Sequence, residues 1–353
     1  MMKIGIPKEI KPQEGRVALI PDAVAELVHH GHQVFVQQDA GKLSGYCDID
    51  YEDAGASIYP DAASLYESSQ LIVKVKEPQP EEVSKLRPDH ILFSYLHLAA
   101  VPKLTRQLCE AGLTAIGFET VQEGRALPLL APMSDIAGRL ATQLGSHYLH
   151  QPQGGRGILL GGIPAAERGN VVVLGGGTAG GNAATMAAAM GANVTVFDPN
   201  RDKLAQMRAL GNNVTGLHPF KKSIHEAVIE ADLLIGAVLI PGAKAPHLVN
   251  ADTVREMKNG SVIVDISVDQ GGCIETTKPT DYNNPTFIWE GVVHFGVTNM
   301  PGAVPRTASQ ALSAALVPYI LRLASADWES DAALKGGINV QDGKIKHPAL
   351  IEA

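Results

Sequence analysis

The chain has 353 residues, is 45% hydrophobic and carries a formal net charge of −8. That length and apolar content suffice for two domains with separate cores, and the mild acidity argues against nucleic acid or an anionic membrane surface as a partner. Cys47, Cys109 and Cys273 are widely spaced and odd in number, so they suggest neither a disulfide frame nor a zinc site; each reads as a small core filler. The first nine residues lack an apolar h-region, and the longest apolar runs, such as 233–240, are too short to span a bilayer. A cytoplasmic enzyme is the expectation.

In chain order, residues 3–6, 33–36, 71–75, 91–95 and 114–118 have the composition of short strands. Residues 21–30 and 102–111 have helical periodicity, each opened by a proline and closed by Gly31 or Gly112. The first strand runs into Pro7-Lys8-Glu9 rather than glycines, so this α/β unit should hold something other than a dinucleotide. A long helix is expected over 134–150, followed by a glycine-rich loop.

Residues 170–174 then read as a buried parallel strand. Gly175, Gly177 and Gly180 follow at G-x-G-x-x-G spacing, a helix-like run covers 182–190, and a second strand at 193–197 ends in Asp198. Strand, glycine turn, helix, strand and acid in that order bind a dinucleotide. The glycines allow a tight turn, close approach of backbone to pyrophosphate and close helix–strand packing, while the pyrophosphate meets free N–H groups at the helix N-terminus. Further strands are expected at 233–238, 262–266 and 292–297, and a helix at 307–324. No room is left for another domain, so this helix should return to the first unit. The expectation is an α/β chain of two Rossmann-like domains with parallel sheets, joined by long helices, with an active-site cleft between them. Residues 1–130 plus 305–353 would form a discontinuous substrate domain and 131–304 the NAD-binding domain.

Ligands of open parallel sheets bind beyond the carboxyl ends of strands. That rule selects Val238-Leu239, residues 267–272 and residues 298–301 as cofactor-lining turns, with Asp269 nearest the nicotinamide. Asp269 could equally cap the Gly271-Gly272 turn. Asp198 would accept hydrogen bonds from ribose hydroxyls and repel a 2′-phosphate, favouring NAD over NADP; Arg201 and Lys203 nearby are either solvated charges or cofactor contacts. Ser134 is either a helix N-cap or a cofactor contact, roles that are compatible.

In the first unit Arg16, Lys76 and His97 each follow a strand. A guanidinium suits bidentate capture of a carboxylate, and a lysine suits an anionic or carbonyl oxygen. Imidazole titrates near neutral pH and can pass protons. The histidines show no H-E-x-x-H spacing, so no metal is proposed, and no G-x-S-x-G elbow of a serine hydrolase occurs.

Residues 2–9, Glu14-Gly-Arg-Val-Ala18 and Lys74-Val-Lys-Glu-Pro78 resemble the N-terminal domain shared by alanine dehydrogenases and the NAD-binding subunit of proton-pumping transhydrogenase. Residues 95–99, 127–134, 236–246, 264–273 and 299–306 resemble the alanine dehydrogenase family itself. The resemblance implies oxidation of L-alanine to pyruvate and ammonia with NAD, by a homohexamer. It implies that Arg16 and Lys76 hold the substrate and that His97 and Asp269 are the catalytic pair. Cofactor contacts carried over are Ser134, Gly175, Gly177, Thr178, Ala179, Gly180, Asp198, Lys203, Val238, Leu239, Ile266, Asp269, Asn299 and Met300. Residues 217–220 lack the polar adenine-side residue of some relatives, so no contact is assigned there.

The main alternative is a transhydrogenase NAD-binding component, in which the lysine and histidine positions are typically replaced and an Arg-Gln-Asp loop follows the glycine turn. Here Lys76 and His97 are present and that loop is not. A lysine-forming saccharopine dehydrogenase is a more distant enzyme reading, and a non-catalytic NAD-binding regulator would be a protein of a different class. Loss of His97 or Asp269 would mark the regulator, and neither is lost.

Overall fold

Short runs of apolar and β-branched residues build two sheets in the computed structural model, which describes residues 1–238 and 246–351, apart from the side chain of Gln270. Leu239 therefore lies outside the described residues. The strands are β1 Lys3–Ile6, β2 Gln33–Gln37, β3 Ser57–Tyr59, β4 Leu71–Val73, β5 Ile91–Ser94, β6 Thr114–Gly117, β7 Asn170–Leu174, β8 Asn193–Phe197, β9 Val214–Leu217, β10 Leu233–Gly236, β11 Val262–Asp265, β12 Thr286–Trp289, β13 Val292–Phe295, β14 Ile338–Gln341 and β15 Lys344–Ile345. Two units result, Met1–Met133 with Gly302–Ala353, and Ser134–Pro301.

The first unit's sheet runs β15-β14-β6-β5-β4-β1-β2-β3, the second's β12-β13-β11-β10-β7-β8-β9. Their parallel cores have the same order. Counted from the first strand of each unit, both read 3-2-1-4-5-6, the doubly wound arrangement, with the topological switch point between β1 and β4 and between β7 and β10. Buried Ile72, Leu92, Leu108 and Val340 are part of the first unit's core, and Leu174, Phe197, Leu234 and Ile263 of the second's.

The sheets are not wholly parallel. β12 pairs antiparallel with β13, and β14 with both β6 and β15. Both hairpins turn on two residues with positive φ, Glu290-Gly291 at 48° and 78° and Asp342-Gly343 at 52° and 72°. Paired positive φ values match the right-handed twist of the flanking strands. The Asp342-Gly343 pair is a hairpin signal in the sequence, although strand periodicity alone does not reveal β14 and β15.

Helix boundaries also shift. The helix expected at 134–150 spans Ala131–Tyr148, with Pro132 in its first turn, so Ser134 sits inside that turn rather than at the N-cap. The helix after the glycine turn starts at Thr178, earlier than apolar spacing suggests, because Gly177 is its N-cap. The late helix is Pro305–Leu323. Its Ser309 and Ser313 hydroxyls, one turn apart, accept the Val17 and Ile20 N–H groups at 2.9 Å each. That pins the segment just after Arg16 to the first unit's own C-terminal part. No helix among the described residues is long and apolar enough to cross a membrane.

Candidate active site

In the second unit, backbone makes most of the site. Gly175 follows β7 at φ 99°, and a Cβ there would lie 2.5 Å from the Ala237 carbonyl oxygen. A Cβ on Gly180 would lie 1.8 Å from the Gly175 oxygen, so only glycine lets the helix Thr178–Ala189 start this close to the turn. Gly177 differs: its nearest neighbour is the Lys203 Nζ at 3.9 Å, leaving open space over the turn. Open backbone facing the first N–H groups of a 12-residue helix fits a pyrophosphate. The residues present therefore fit a dinucleotide.

Asp198 follows β8 and is buried. Its Oδ2 accepts the Gly176 N–H at 2.8 Å and its Oδ1 accepts the Asn200 N–H at 2.8 Å. The Lys203 Nζ stands 3.6 Å from Oδ2, so this lysine is an ion-pair partner of the acid, while Arg201 is exposed. A carboxylate has about four lone-pair sites, so two backbone bonds leave capacity for hydroxyls. Thr178 is exposed and Ala179 half-buried at the helix start; Ser134 is half-buried.

Other turns lie beyond neighbouring strands, as the carboxyl-end rule requires. Val238 follows β10, and Ile266 follows β11 with its N–H on the Gly236 oxygen at 2.8 Å. Asp269 is exposed in a single 3-10 turn, Val268–Gln270, closed by Gly271 at φ 96°. Asn299 is half-buried and Met300 buried beyond β13, where the Met300 carbonyl accepts the Tyr282 hydroxyl at 2.8 Å. Spacing does not reveal Asp265. It is fully buried at the end of β11 and accepts the Ser267 and Cys273 N–H groups at 3.0 and 3.1 Å and the Thr277 hydroxyl at 2.8 Å. Burial raises its pKa against these bonds, and together they tie down both ends of the loop carrying Asp269.

Side chains make the first unit's site. Arg16 is 2% exposed and forks onto Glu14, Nε to Oε1 at 2.7 Å and Nη2 to Oε2 at 2.6 Å, with Nη1 3.1 Å from the Met133 Sδ. Burial opposes charge on both partners, but the bidentate bonds outweigh it: the Glu14 carboxyl is held below, and the Arg16 guanidinium above, their ordinary ranges. Lys76 lies beyond β4, at the other side of the switch point, and makes no hydrogen bond or ion pair among the described residues. Burial, then the Arg16 charge, pushes its pKa down. A buried lysine whose charge is disfavoured beside a guanidinium is a place where an anion is stabilised.

Lys74, two residues before Lys76, is fully buried between Glu9 and Glu82, at 3.0 and 3.2 Å. The Glu9 Oε1 also accepts the Val75 N–H at 2.6 Å. Burial raises the Glu9 pKa despite the Lys74 charge. This cluster fixes the strand end from which Lys76 projects; a charged residue in a strand is the only sequence sign of it. His97, beyond β5, is exposed at φ 47° and stacks on buried Tyr95, ring centroids 6.0 Å apart. The Tyr95 hydroxyl donates to the Leu129 oxygen at 2.5 Å.

A doubly wound pair with a glycine-turn dinucleotide site in one unit and a cationic site at the other's switch point defines a dinucleotide-linked oxidoreductase architecture. Residues 5–137 match the N-terminal domain of the alanine dehydrogenase/PNT family and residues 141–348 its C-terminal domain, and the chain belongs to that family. It is 49% identical to the alanine dehydrogenase of Halomonas elongata, covering all of this chain and 96% of that one. It is also 49% identical to the alanine dehydrogenase of Bacillus subtilis, covering 99% and 94%. A solved L-alanine dehydrogenase superposes with a TM-score of 0.96 at 51% identity, covering 99% and 98%. The transhydrogenase of Sinorhizobium meliloti superposes at 0.86 with 27% identity, covering 98% and 99%.

Proposed function

We infer that this chain catalyses the NAD-dependent, reversible oxidative deamination of L-alanine to pyruvate and ammonia. The observation that carries the reading is near-half identity, over almost the full length of both chains, to enzymes named alanine dehydrogenase. Lys76 and His97, the positions that separate this activity from a transhydrogenase component, are both present.

Arg16 and Lys76 hold the substrate carboxylate and carbonyl region. Lys76, whose charge is disfavoured until an anion arrives, gains most from that contact. The Gly175–Gly180 turn with Thr178 and Ala179, Asp198 with Lys203, Ser134, Val238, Leu239, Ile266, Asp269, Asn299 and Met300 hold NAD, which when bound accepts the hydride from alanine. The His97 imidazole takes the proton that the alanine ammonium must lose and returns one to the departing amine. The Asp269 carboxylate orients the water that adds to the imine carbon. Acid–base help of this kind is typically worth ~10²- to 10⁴-fold. By family resemblance the enzyme is a cytoplasmic homohexamer that works with no nucleic acid or membrane partner.

One assay tests the reading: NADH oxidation with pyruvate plus ammonium, against glyoxylate plus ammonium, 2-oxoglutarate plus lysine, and an oxidised NADP analogue as hydride acceptor. Pyruvate plus ammonium is expected to be the best pair, with some glyoxylate turnover, since one methyl is worth only ~1–3 kcal/mol. Oxidation by the NADP analogue alone, with pyruvate inert, would overturn it.

A further inference from the structure

His97 is one of six described residues other than glycine with positive φ, at φ 47° and ψ 37°. An L-residue holds that left-handed conformation only where its surroundings over-determine it. On the far side the His97 carbonyl accepts the Ala100 N–H at 2.9 Å; on the near side one side chain holds the backbone donors. β5 and β6 are parallel with Ser94 opposite Gly117, so the residue two beyond Gly117 falls beside the residue two beyond Ser94. Those residues are Glu119 and Leu96. The Tyr95 N–H reaches Val75, but past it the ladder partner for β5 has ended. Leu96 is fully buried, so its N–H needs an acceptor.

Glu119 supplies it. Both carboxylate oxygens lie 3.2 Å from the Leu96 nitrogen, and Oε1 lies 2.6 Å from the His97 nitrogen. Glu119 is itself fixed by its neighbour: fully buried Phe118 packs edge-on against Phe93 and Tyr95, at 4.5 and 4.9 Å. One carboxylate thus accepts two successive backbone donors leading into the left-handed residue, and Tyr95 stacks on the ring that residue carries.

We propose that Glu119 is a positioning residue for alanine deamination: its carboxylate holds the His97 backbone in the left-handed conformation that aims the imidazole. This rests on the catalytic reading of His97. It assigns Glu119 no contact with substrate or NAD.

The test measures kcat, pyruvate KM and NADH affinity for Glu119→Ala, Glu119→Gln, His97→Ala and the Glu119→Ala/His97→Ala double variant, with thermal unfolding of each. Misplacing a reacting group by about 1 Å can cost ~10²-fold, the fall in kcat expected for Glu119→Ala, with pyruvate KM and NADH affinity largely kept. Glu119→Gln retains one acceptor oxygen and recovers part of the loss; it carries the test should Glu119→Ala not fold. A residue acting through His97 has nothing left to lose once His97 is gone, so the double variant should match His97→Ala. Wild-type kcat in both Glu119 variants overturns the proposal, as does a double variant slower than His97→Ala by the full Glu119→Ala factor. A fully active His97→Ala instead overturns the catalytic reading itself.

Discussion

The two units share one strand order but build their candidate sites from different material. In the second, the turn after β7 works through absent side chains: the Gly175 and Gly180 positions admit no Cβ, and Gly177 leaves its space open. In the first, the turn after β1 carries a buried Arg16–Glu14 fork, and the strand end after β4 carries Lys76 above a buried Lys74 held by two glutamates. The same switch point can thus be fitted with backbone donors or with cations. Backbone donors suit a phosphate that many enzymes share; placed side chains suit one small substrate.

That contrast can be broken at single positions. Gly180→Ala should have the largest effect, since its Cβ needs backbone to move: NADH binding should be lost, all turnover with it, and the fold destabilised. Normal NADH binding by this variant would mean the turn is not the packing element described. Arg16→Ala comes next. It takes from buried Glu14, 4% exposed, the guanidinium that forks onto it, a change that typically costs ~3–5 kcal/mol. Thermal unfolding of Glu14→Ala/Arg16→Ala should recover part of that stability, while pyruvate KM stays high in both. A KM that recovered with stability would leave Arg16 a purely structural role.

Gly177→Ala should be milder on the fold, because only Lys203 stands near and Gly177 has φ −75°, open to any residue. Alanine is a poorer N-cap than glycine by under ~1 kcal/mol, so unfolding should barely change while NADH binding weakens. Equal losses in Gly177→Ala and Gly180→Ala would erase the distinction between the packing glycine and the contact glycine. The smallest effect concerns pH. The Lys76 pKa is lowered by burial and by Arg16, so its charge is present at low pH and lost, as pH rises, earlier than for an ordinary lysine. Pyruvate kcat/KM should fall on the alkaline side as that proton leaves, and Lys76→Arg should move the fall to higher pH. An unchanged profile in Lys76→Arg would assign the titration to another group.

The same contrast explains what is legible in the chain alone. Gly175, Gly177, Gly180 and Asp198 lie within 24 residues and act through local backbone, so their spacing exposes them. Strands buried on both faces, such as β7 and β10, are equally plain. The edge strands β3 and β9 are not, being short and part-exposed, with Gly216 interrupting β9. Glu14, Glu119 and Asp265 escape for another reason. Glu14 and Asp265 fold back onto near neighbours in irregular turns, Arg16 for the one and Ser267 and Cys273 for the other, whereas Glu119 meets His97 only because Ser94 pairs with Gly117. No periodicity encodes that. Ser134 does lie on the helix the sequence predicts, but Pro132 starts that helix earlier and takes away the capping role.

If the second unit binds the coenzyme and the first selects the reaction, one experiment separates the two most directly. It is the turnover of pyruvate plus ammonium and the NADH dissociation constant of His97→Ala, measured on the same preparation. Turnover should fall by ~10²- to 10⁴-fold with NADH affinity unchanged. Full turnover, or loss of NADH binding along with activity, would contradict it.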